Sequence, residues 1–423
     1  MKTIRYIFLS LLIICIGSLS VVIYQVDNEK RKIKEDLIEL SNIKYGLFNV
    51  DEWKKVLATI LSKKIEEFEL KGGDRKDMKN KVSNFLNKVI ADFEERYYVQ
   101  NSGSIGGIFK SIGAKTFNIF GELKNNVPKF TQEILNFLND PKNKKVLKSY
   151  LTSKLNEYAD NTFAKMDYSV HDSIISKYKI GDRAETISSL NTTLDELQNK
   201  VNNYKYLLIV FSLLTAAYIL ILKELNKTEV FLLTGISFLF LITGLTLPMI
   251  EIDARVSEIK ISLLGEYINF EDQVLYYKSK SIIEVIRLML TQSGFDLLLV
   301  GCLVFVFSVL FPISKLITSL LLVSKPNLRS NKLVYFLVYK TGKWSMADVM
   351  VVAIFMAYVG FSGILSEQLN QIEHLSTKID VFTTNKSSLQ TGFFAFTSFA
   401  LLSLLTTNKL QASLAVKLTI NKG

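Results

Sequence analysis

Apolar residues in this chain are gathered into six long runs: Ile7 to Tyr24, Tyr206 to Leu222, Val230 to Ile250, Phe295 to Val323, Met346 to Leu365 and Thr391 to Leu405. A bilayer core needs roughly 20 such residues in a helix, so the pattern predicts six transmembrane helices. The first run follows Lys2 and Arg5 and leads into Val21-Val22-Ile23 rather than a small-x-small cleavage site, which predicts an uncleaved signal anchor.

Between the first two runs the period changes. Residues 27–204 are soluble in composition, and apolar positions recur at helical spacing, as in Ile33, Leu37 and Leu40 or Val56, Leu57, Ile60 and Leu61. Five to seven amphipathic helices are predicted there, with Pro128 and Pro141 falling between helical blocks. The last block carries Ile187, Leu190, Leu194, Leu197, Val201 and Tyr204, alternately three and four apart, a short heptad seam leading straight into the second run. The stretch Ser102 to Gly113 mixes glycine with large apolar residues. It reads either as a tight helix contact in the domain core or as a surface facing lipid or a partner.

Elsewhere the period is two. Ile250 to Val256, Glu258 to Leu263, Val274 to Tyr277 and Ile379 to Thr383 alternate or are strand-like. A small sheet drawn from both of these loops is expected to cap the last four helices. The fold class predicted is thus an all-α membrane protein with six transmembrane helices, a helical extracytoplasmic domain and a small β-sheet over a four-helix module.

Charge settles the orientation. The 423 residues hold 51 Lys and Arg against 40 Asp and Glu, a net charge of +11, with a mean hydropathy of +0.24. The basic residues are spread along the chain rather than clustered on one face, so nucleic acid is not an expected partner. The short stretches beside the apolar runs are the one-sided ones: Lys223 to Lys227, the loop 324–344 with Lys325, Arg329, Lys332, Lys340 and Lys343, and the tail with Lys409, Lys417 and Lys422. The positive-inside rule then places both termini in the cytoplasm and 27–204, 251–294 and 366–390 outside it. The layout predicted is a signal-anchor helix over 1–26, a helical extracytoplasmic domain over 27–204, a second helix with a short cytoplasmic loop over 205–227, a four-helix module over 228–410 and a tail over 411–423.

Chemistry is sparse. Cys15 and Cys302 both lie in apolar runs, and His171 and His374 are isolated, so no metal or other cofactor is expected. No nucleophile elbow, phosphate loop or carboxylate pair with a base is present, and the chain is not expected to be an enzyme. Two features break the apolar pattern. One is Ser308, Pro312 and Lys315 in the fourth run, where Lys315 lies roughly seven residues, about 10 Å, from the cytoplasmic end. A lysine there either snorkels to the surface or is paired, and Pro312 is expected to kink the helix. The other is Gly342-Lys343-Trp344-Ser345-Met346-Ala347-Asp348-Val349. Ser345 and Asp348 have capping spacing at a helix start, and Trp344 suits the interface belt. Lys315 and Asp348 fall at similar depth on neighbouring spans, so a polar cluster of Ser308, Lys315, Ser345 and Asp348 inside the bundle is the sharper expectation.

The Gly342–Val349 string resembles the signature of the paraquat-inducible protein A family of inner-membrane proteins, and Ser308…Pro312…Lys315 resembles the element before it. The helix ending Leu247-Pro248-Met249-Ile250 and followed by strands is similar to the family's first core helix. The resemblance spans about 228–410. It implies a tetraspanin-like or claudin-like four-helix module, a polar network on Ser308, Lys315, Ser345 and Asp348 joined by Thr391 or Thr397, and a part in moving lipid between two membranes beside mammalian-cell-entry (MCE) domain proteins. Family members carry two modules and cysteine-rich zinc ribbons, whereas this chain has one module and no ribbon. The function expected is an inner-membrane component of lipid transport and envelope homeostasis that handles phospholipid or another membrane lipid with an MCE-domain protein as partner. The alternative is a non-transporting scaffold or sensor whose helical domain binds envelope partners.

Overall fold

The computed structural model describes residues 2–42, 119–138, 167–222, 225–263, 266–291, 294–324, 379–385 and 387–420, with short pieces at 76–77, 79–84, 86–88 and 91 and at 149, 153, 353–354 and 357. The Ser102 to Gly113 stretch and the Trp344 motif lie outside the described residues. Nine helices and four strands are treated below: α1 Lys2–Leu40, α2 Ile119–Leu138, α3 Ser169–Tyr178, α4 Arg183–Ile221, α5 Lys227–Thr246, β1 Ile250–Leu263, β2 Glu266–Lys280, α6 Ile282–Thr291, α7 Phe295–Phe305, α8 Phe311–Ser324, β3 Ile379–Asn385, β4 Ser388–Leu389 and α9 Thr391–Ile420. Five helical runs among the described residues are long and apolar enough to cross a membrane: α1, α4, α5, α7 through α8, and α9. These match five of the six spans expected, and most of the sixth, Met346 to Leu365, lies outside the described residues. The chain is a multi-pass membrane protein of mainly helical fold with a small sheet.

Two helices are far longer than a span. α1 and α4 each have 39 residues, about 58 Å at helical rise against a hydrocarbon core of about 30 Å. Each therefore leaves the membrane without a break. The positions drawn as ends of the signal anchor and of the soluble domain, near 26 and 204, both fall inside continuous helix. The heptad seam does run into the second span, and its partner is the outer half of α1. Leu190 and Leu194 are buried with Leu37 and Leu40, flanked by Ile33 and Ile187. Arg183 at the start of α4 donates to the Leu40 carbonyl at 2.8 Å, and Asp182 caps the helix by accepting from the Glu185 N–H. Pro128 is not between helices but inside α2, where the buried Thr131 hydroxyl donates to the Val127 carbonyl at 2.7 Å.

The membrane part has one core. Leu9, Leu12, Ile16, Leu19 and Ile23 of α1 pack with Leu233, Ile236 and Phe240 of α5 and Phe396 and Phe399 of α9. At one end Arg5, Tyr218 and the fully buried Glu229 meet, with Glu229 Oε2 also accepting from the Asn226 N–H at 2.8 Å. Lys409 of α9 reaches the Leu222 carbonyl at 2.7 Å at the same end. Arg5 and Lys409 are thus on one side of the bundle.

The sheet closes the other end. β1 is its centre, antiparallel to β2 on one edge and to β3 and β4 on the other, so both loops contribute strands as their alternation predicts. The register shifts between Ala254 and Arg255 against β2 and between Val256 and Glu258 against β3. These irregularities add local twist. The face of β1 is the unexpected part. Alternation suggests apolar residues inward, but Glu251, Asp253 and Arg255 are buried while Ile252 is only half-buried.

Candidate functional site

The polar residues singled out in the fourth span occupy one inward stripe. Ser308, Pro312, Lys315, Ser319 and Leu322 are all buried and follow one another at four- and three-residue steps. Lys315 is only 3% exposed, so its side chain does not reach the surface as a snorkelling lysine would. Pro312 acts differently from a simple kink. Residues 306–310 form a π-helical turn, in which the Phe311 N–H donates to the Val306 carbonyl five residues back. The wide turn takes up one extra residue just before Pro312, the second residue of α8, which has no N–H to donate. Ser308 sits in that turn, and its buried hydroxyl has no hydrogen-bond partner among the described residues. Such turns interrupt helices at functional positions.

Trp344, Ser345, Met346 and Asp348 lie outside the described residues, so of this set the structure places Ser308 and Lys315, two turns apart on one buried stripe. Thr391 and Thr397 differ in environment. The Thr397 hydroxyl is spent on the Phe393 carbonyl at 2.8 Å, whereas the buried Thr391 hydroxyl has no partner among the described residues. Among those residues no group of three His, Cys, Asp or Glu side chains is placed to hold a metal. His171 is not as isolated as its sequence context suggests, since Nδ1 lies 3.0 Å from Asp172 Oδ1.

A second polar centre was not foreseen. It lies where α1, α4, β1 and the start of α9 converge. Lys30, 2% exposed, holds its ammonium 3.2 Å from Gln198 Oε1, 3.4 Å from Gln390 Oε1, 3.4 Å from Asp27 Oδ1 and 3.7 Å from Glu251 Oε2. One turn on, Lys34 pairs with Glu251 and lies 3.0 Å from Asp253 Oδ2. Arg255 completes the row, with Nε 2.8 Å and Nη2 3.2 Å from the two Asp253 oxygens. Three cations and three carboxylates thus face one another with little access to water. Each charge in such a place needs its partner, because desolvation costs several kcal/mol per ion.

Burial alone would raise the Asp253 pKa, but the hydrogen bond and charge of Arg255 and the charge of Lys34 outweigh it and hold the carboxyl below the usual carboxylate range. Glu284, at the start of α6, is lowered in the same way: the Ser281 N–H and Arg31 outweigh its partial burial. A carboxyl with a depressed folded-state pKa adds stability that is present above its unfolded value, about 3.9 for Asp, and lost as pH falls through the folded value. Asp27 in the same network is raised by its burial and so works in the opposite sense. Thermal unfolding of the detergent-solubilised chain is therefore expected to show the Asp253 and Glu284 contribution as a loss of stability below about pH 4. Asp253→Asn should lower the plateau and flatten that acid limb; an unchanged limb would show that Asp253 is not a linked group.

Residues 273–370 match the family model of paraquat-inducible protein A. The match contains Ser308, Pro312, Lys315 and the Trp344 motif, and it bears out the resemblance read from those residues. No curated protein and no solved structure matches the chain.

Proposed function

We propose that this multi-pass membrane protein, whose residues 273–370 carry the paraquat-inducible protein A domain, is an inner-membrane component of lipid movement across a double-membraned envelope. Its basic end faces the cytoplasm with both termini, and its sheet and the outer halves of α1 and α4 face the other way. An MCE-domain protein is the partner that carries lipid onward, and the 27–204 region docks it.

The observation that supports this reading most is the inward stripe of Ser308 and Lys315 in the π-interrupted span, within the family match. A cation so deep in a span is costly unless it is paired, and intramembrane ionisable groups mark substrate or proton paths. Asp348, on the next span of the motif, is its counter-charge, and Ser345 extends the cluster. Lys315 and Asp348 gate the path, hold a headgroup or relay a proton.

Lys315→Ala and Asp348→Ala are each expected to slow lipid transfer roughly tenfold or more, the scale of about 1.4 kcal/mol in the limiting step. Outer-membrane barrier function should weaken in parallel. Normal transfer at parental protein levels would remove the mechanistic role of both residues. The scaffold reading draws on a separate observation, the pair of 39-residue helices projecting beyond the membrane. Crosslinking separates the two: recovered lipid on the module favours transport, and recovered protein partners alone favour scaffolding.

A further inference from the structure

A cavity of about 210 Å³ opens beside the buried charge network, lined by Tyr24, Asp27 and Arg31 of α1, Thr246 at the end of α5, and Ile283 and Glu284 of α6. Its level is set by the chain itself. Tyr24 closes the first apolar run and Thr246 is the last residue of a spanning helix, so the opening lies where hydrocarbon gives way to headgroups on the sheet side. The walls are of two kinds. Tyr24 and Ile283 are exposed and apolar or amphipathic at the lip, as are neighbouring Val21 and Val22, while Arg31, Asp27 and Glu284 supply charge. Arg31 Nη2 donates to Glu284 Oε1 at 2.7 Å, which uses one of the five N–H groups of the guanidinium. Glu284 Oε2 accepts from the Ser281 N–H at 2.9 Å and Ser281 Oγ accepts from the Glu284 N–H, so the carboxylate is held in place by the cap of α6.

We propose that this cavity binds the headgroup of a phospholipid with a primary amine, a phosphoethanolamine lipid, its acyl chains remaining in the bilayer along Tyr24 and Ile283. The volume suits a headgroup and is too small for a whole lipid, since pockets for drug-sized ligands are about 300–1,000 Å³. The charge pattern chooses among headgroups. Arg31 offers its remaining donors to a phosphate. Glu284 and Asp27 offer acceptors to an ammonium, which donates up to three hydrogen bonds. Both carboxylates already face a cation, Lys30 for Asp27 and Arg31 for Glu284, so an ammonium adds hydrogen bonds to their remaining lone pairs; a trimethylated amine donates none, and a phosphoglycerol headgroup brings no ammonium. Five of the nine lining residues come from α1 and α5, outside residues 273–370, so the site is made with the N-terminal helix rather than by the matched family region alone. The proposal rests on the lipid-handling reading for its purpose but not for its chemistry.

The test is native mass spectrometry of the full chain in detergent, given equimolar phosphatidylethanolamine, phosphatidylcholine and phosphatidylglycerol with identical acyl chains. The parent should retain phosphatidylethanolamine in preference to the other two. Arg31→Gln should cut that retention roughly tenfold, the scale of one charge-assisted hydrogen bond. Ile283→Trp, which fills the cavity and touches no charge, should cut it as much with thermal unfolding unchanged. Equal retention of the three lipids by the parent, or parental retention by the Ile283→Trp protein, would overturn the site. Free phosphoethanolamine at the same concentration should displace little; full displacement would make this a small-molecule site and overturn the lipid assignment. Lipid transfer is read separately: transfer with an unaltered pocket response rejects the cavity alone, and a working pocket without transfer rejects the transport reading alone.

Discussion

Lys30→Ala should cost about 3–5 kcal/mol of folding stability, the typical loss when one partner of a buried ion pair is removed. The reason is arithmetic on donors. An ammonium has three N–H groups, and four acceptors stand within 3.7 Å of Lys30 Nζ, supplied by α1, α4, β1 and the residue before α9. Deletion leaves Asp27 without its nearest cation and Glu251 with Lys34 alone, while both remain buried. It also unties four elements at once. Lys30→Met keeps the stem but not the charge, so it should recover only the packing part of the loss. Combining Lys30→Met with Asp27→Asn and Glu251→Gln removes the stranded charges and should restore much of the stability, because a fully neutral replacement of a buried pair is often tolerated. Thermal or denaturant unfolding in detergent measures each step. A Lys30→Ala protein within about 0.5 kcal/mol of the parent would mean that the ammonium is effectively solvated.

That network was the least legible part of the sequence, although one signal was present. The buried stripe of α1 runs Leu9, Leu12, Ile16, Leu19, Ile23, Asp27, Lys30, Leu37, Leu40, at heptad-like steps throughout. Extending the Ile33, Leu37, Leu40 period toward the N-terminus lands on Lys30, a charge on a core position. What hid it was the partner. Glu251 and Asp253 alternate with isoleucines in β1, and charges in such a strand are read by default as its wet face. Only Lys30 and Lys34 of α1, reaching Glu251 and Asp253, turn that face inward, and the residues involved are far apart in the chain. The spans, by contrast, were legible because bilayer thickness imposes a length that composition reveals directly. The strands were legible from a two-residue period, and the seam of α4 from a heptad. In the fourth span the sequence identifies the inward Ser308 and Lys315, yet not the π turn. A proline announces a break in hydrogen bonding, but not whether the helix bends or absorbs an extra residue before it.

The same junction bears on function through its connections. Gln390 contributes one acceptor to Lys30 and donates to the Ser388 hydroxyl of β4 at 2.7 Å, and its own N–H donates to the Met249 carbonyl at 2.9 Å. The projecting helices, the sheet and the last span are therefore joined at one point.

The second large effect is expected at the glycines that let the module close on itself. Gly392, in the first turn of α9, donates its N–H to the Pro248 carbonyl at 2.9 Å. A Cβ there would lie 2.3 Å from the Leu247 oxygen and 2.5 Å from the Pro248 oxygen. Gly244 is as tight one turn deeper, with a Cβ falling 2.7 Å from the Phe396 nitrogen and 2.8 Å from its Cα. The obstructing atoms are backbone, so no side-chain rotation relieves them, and moving α9 away would break the Gln390–Met249 and Gly392–Pro248 bonds that align β4 with β1. Gly392→Ala and Gly244→Ala should each exceed the about 1–3 kcal/mol typical of overpacking, with a sharp fall in folded protein. Gly17 and Gly235 supply the contrast. A Cβ at either would meet only a side-chain methyl, at 3.8 Å and 3.7 Å. Both lie within helices, so alanine there should be neutral or stabilising by up to about 1 kcal/mol. Size-exclusion yield and thermal unfolding of the four proteins, measured side by side, decide the matter. If Gly392→Ala matched Gly17→Ala, the close approach of α5 and α9 would not be what holds sheet and spans in register.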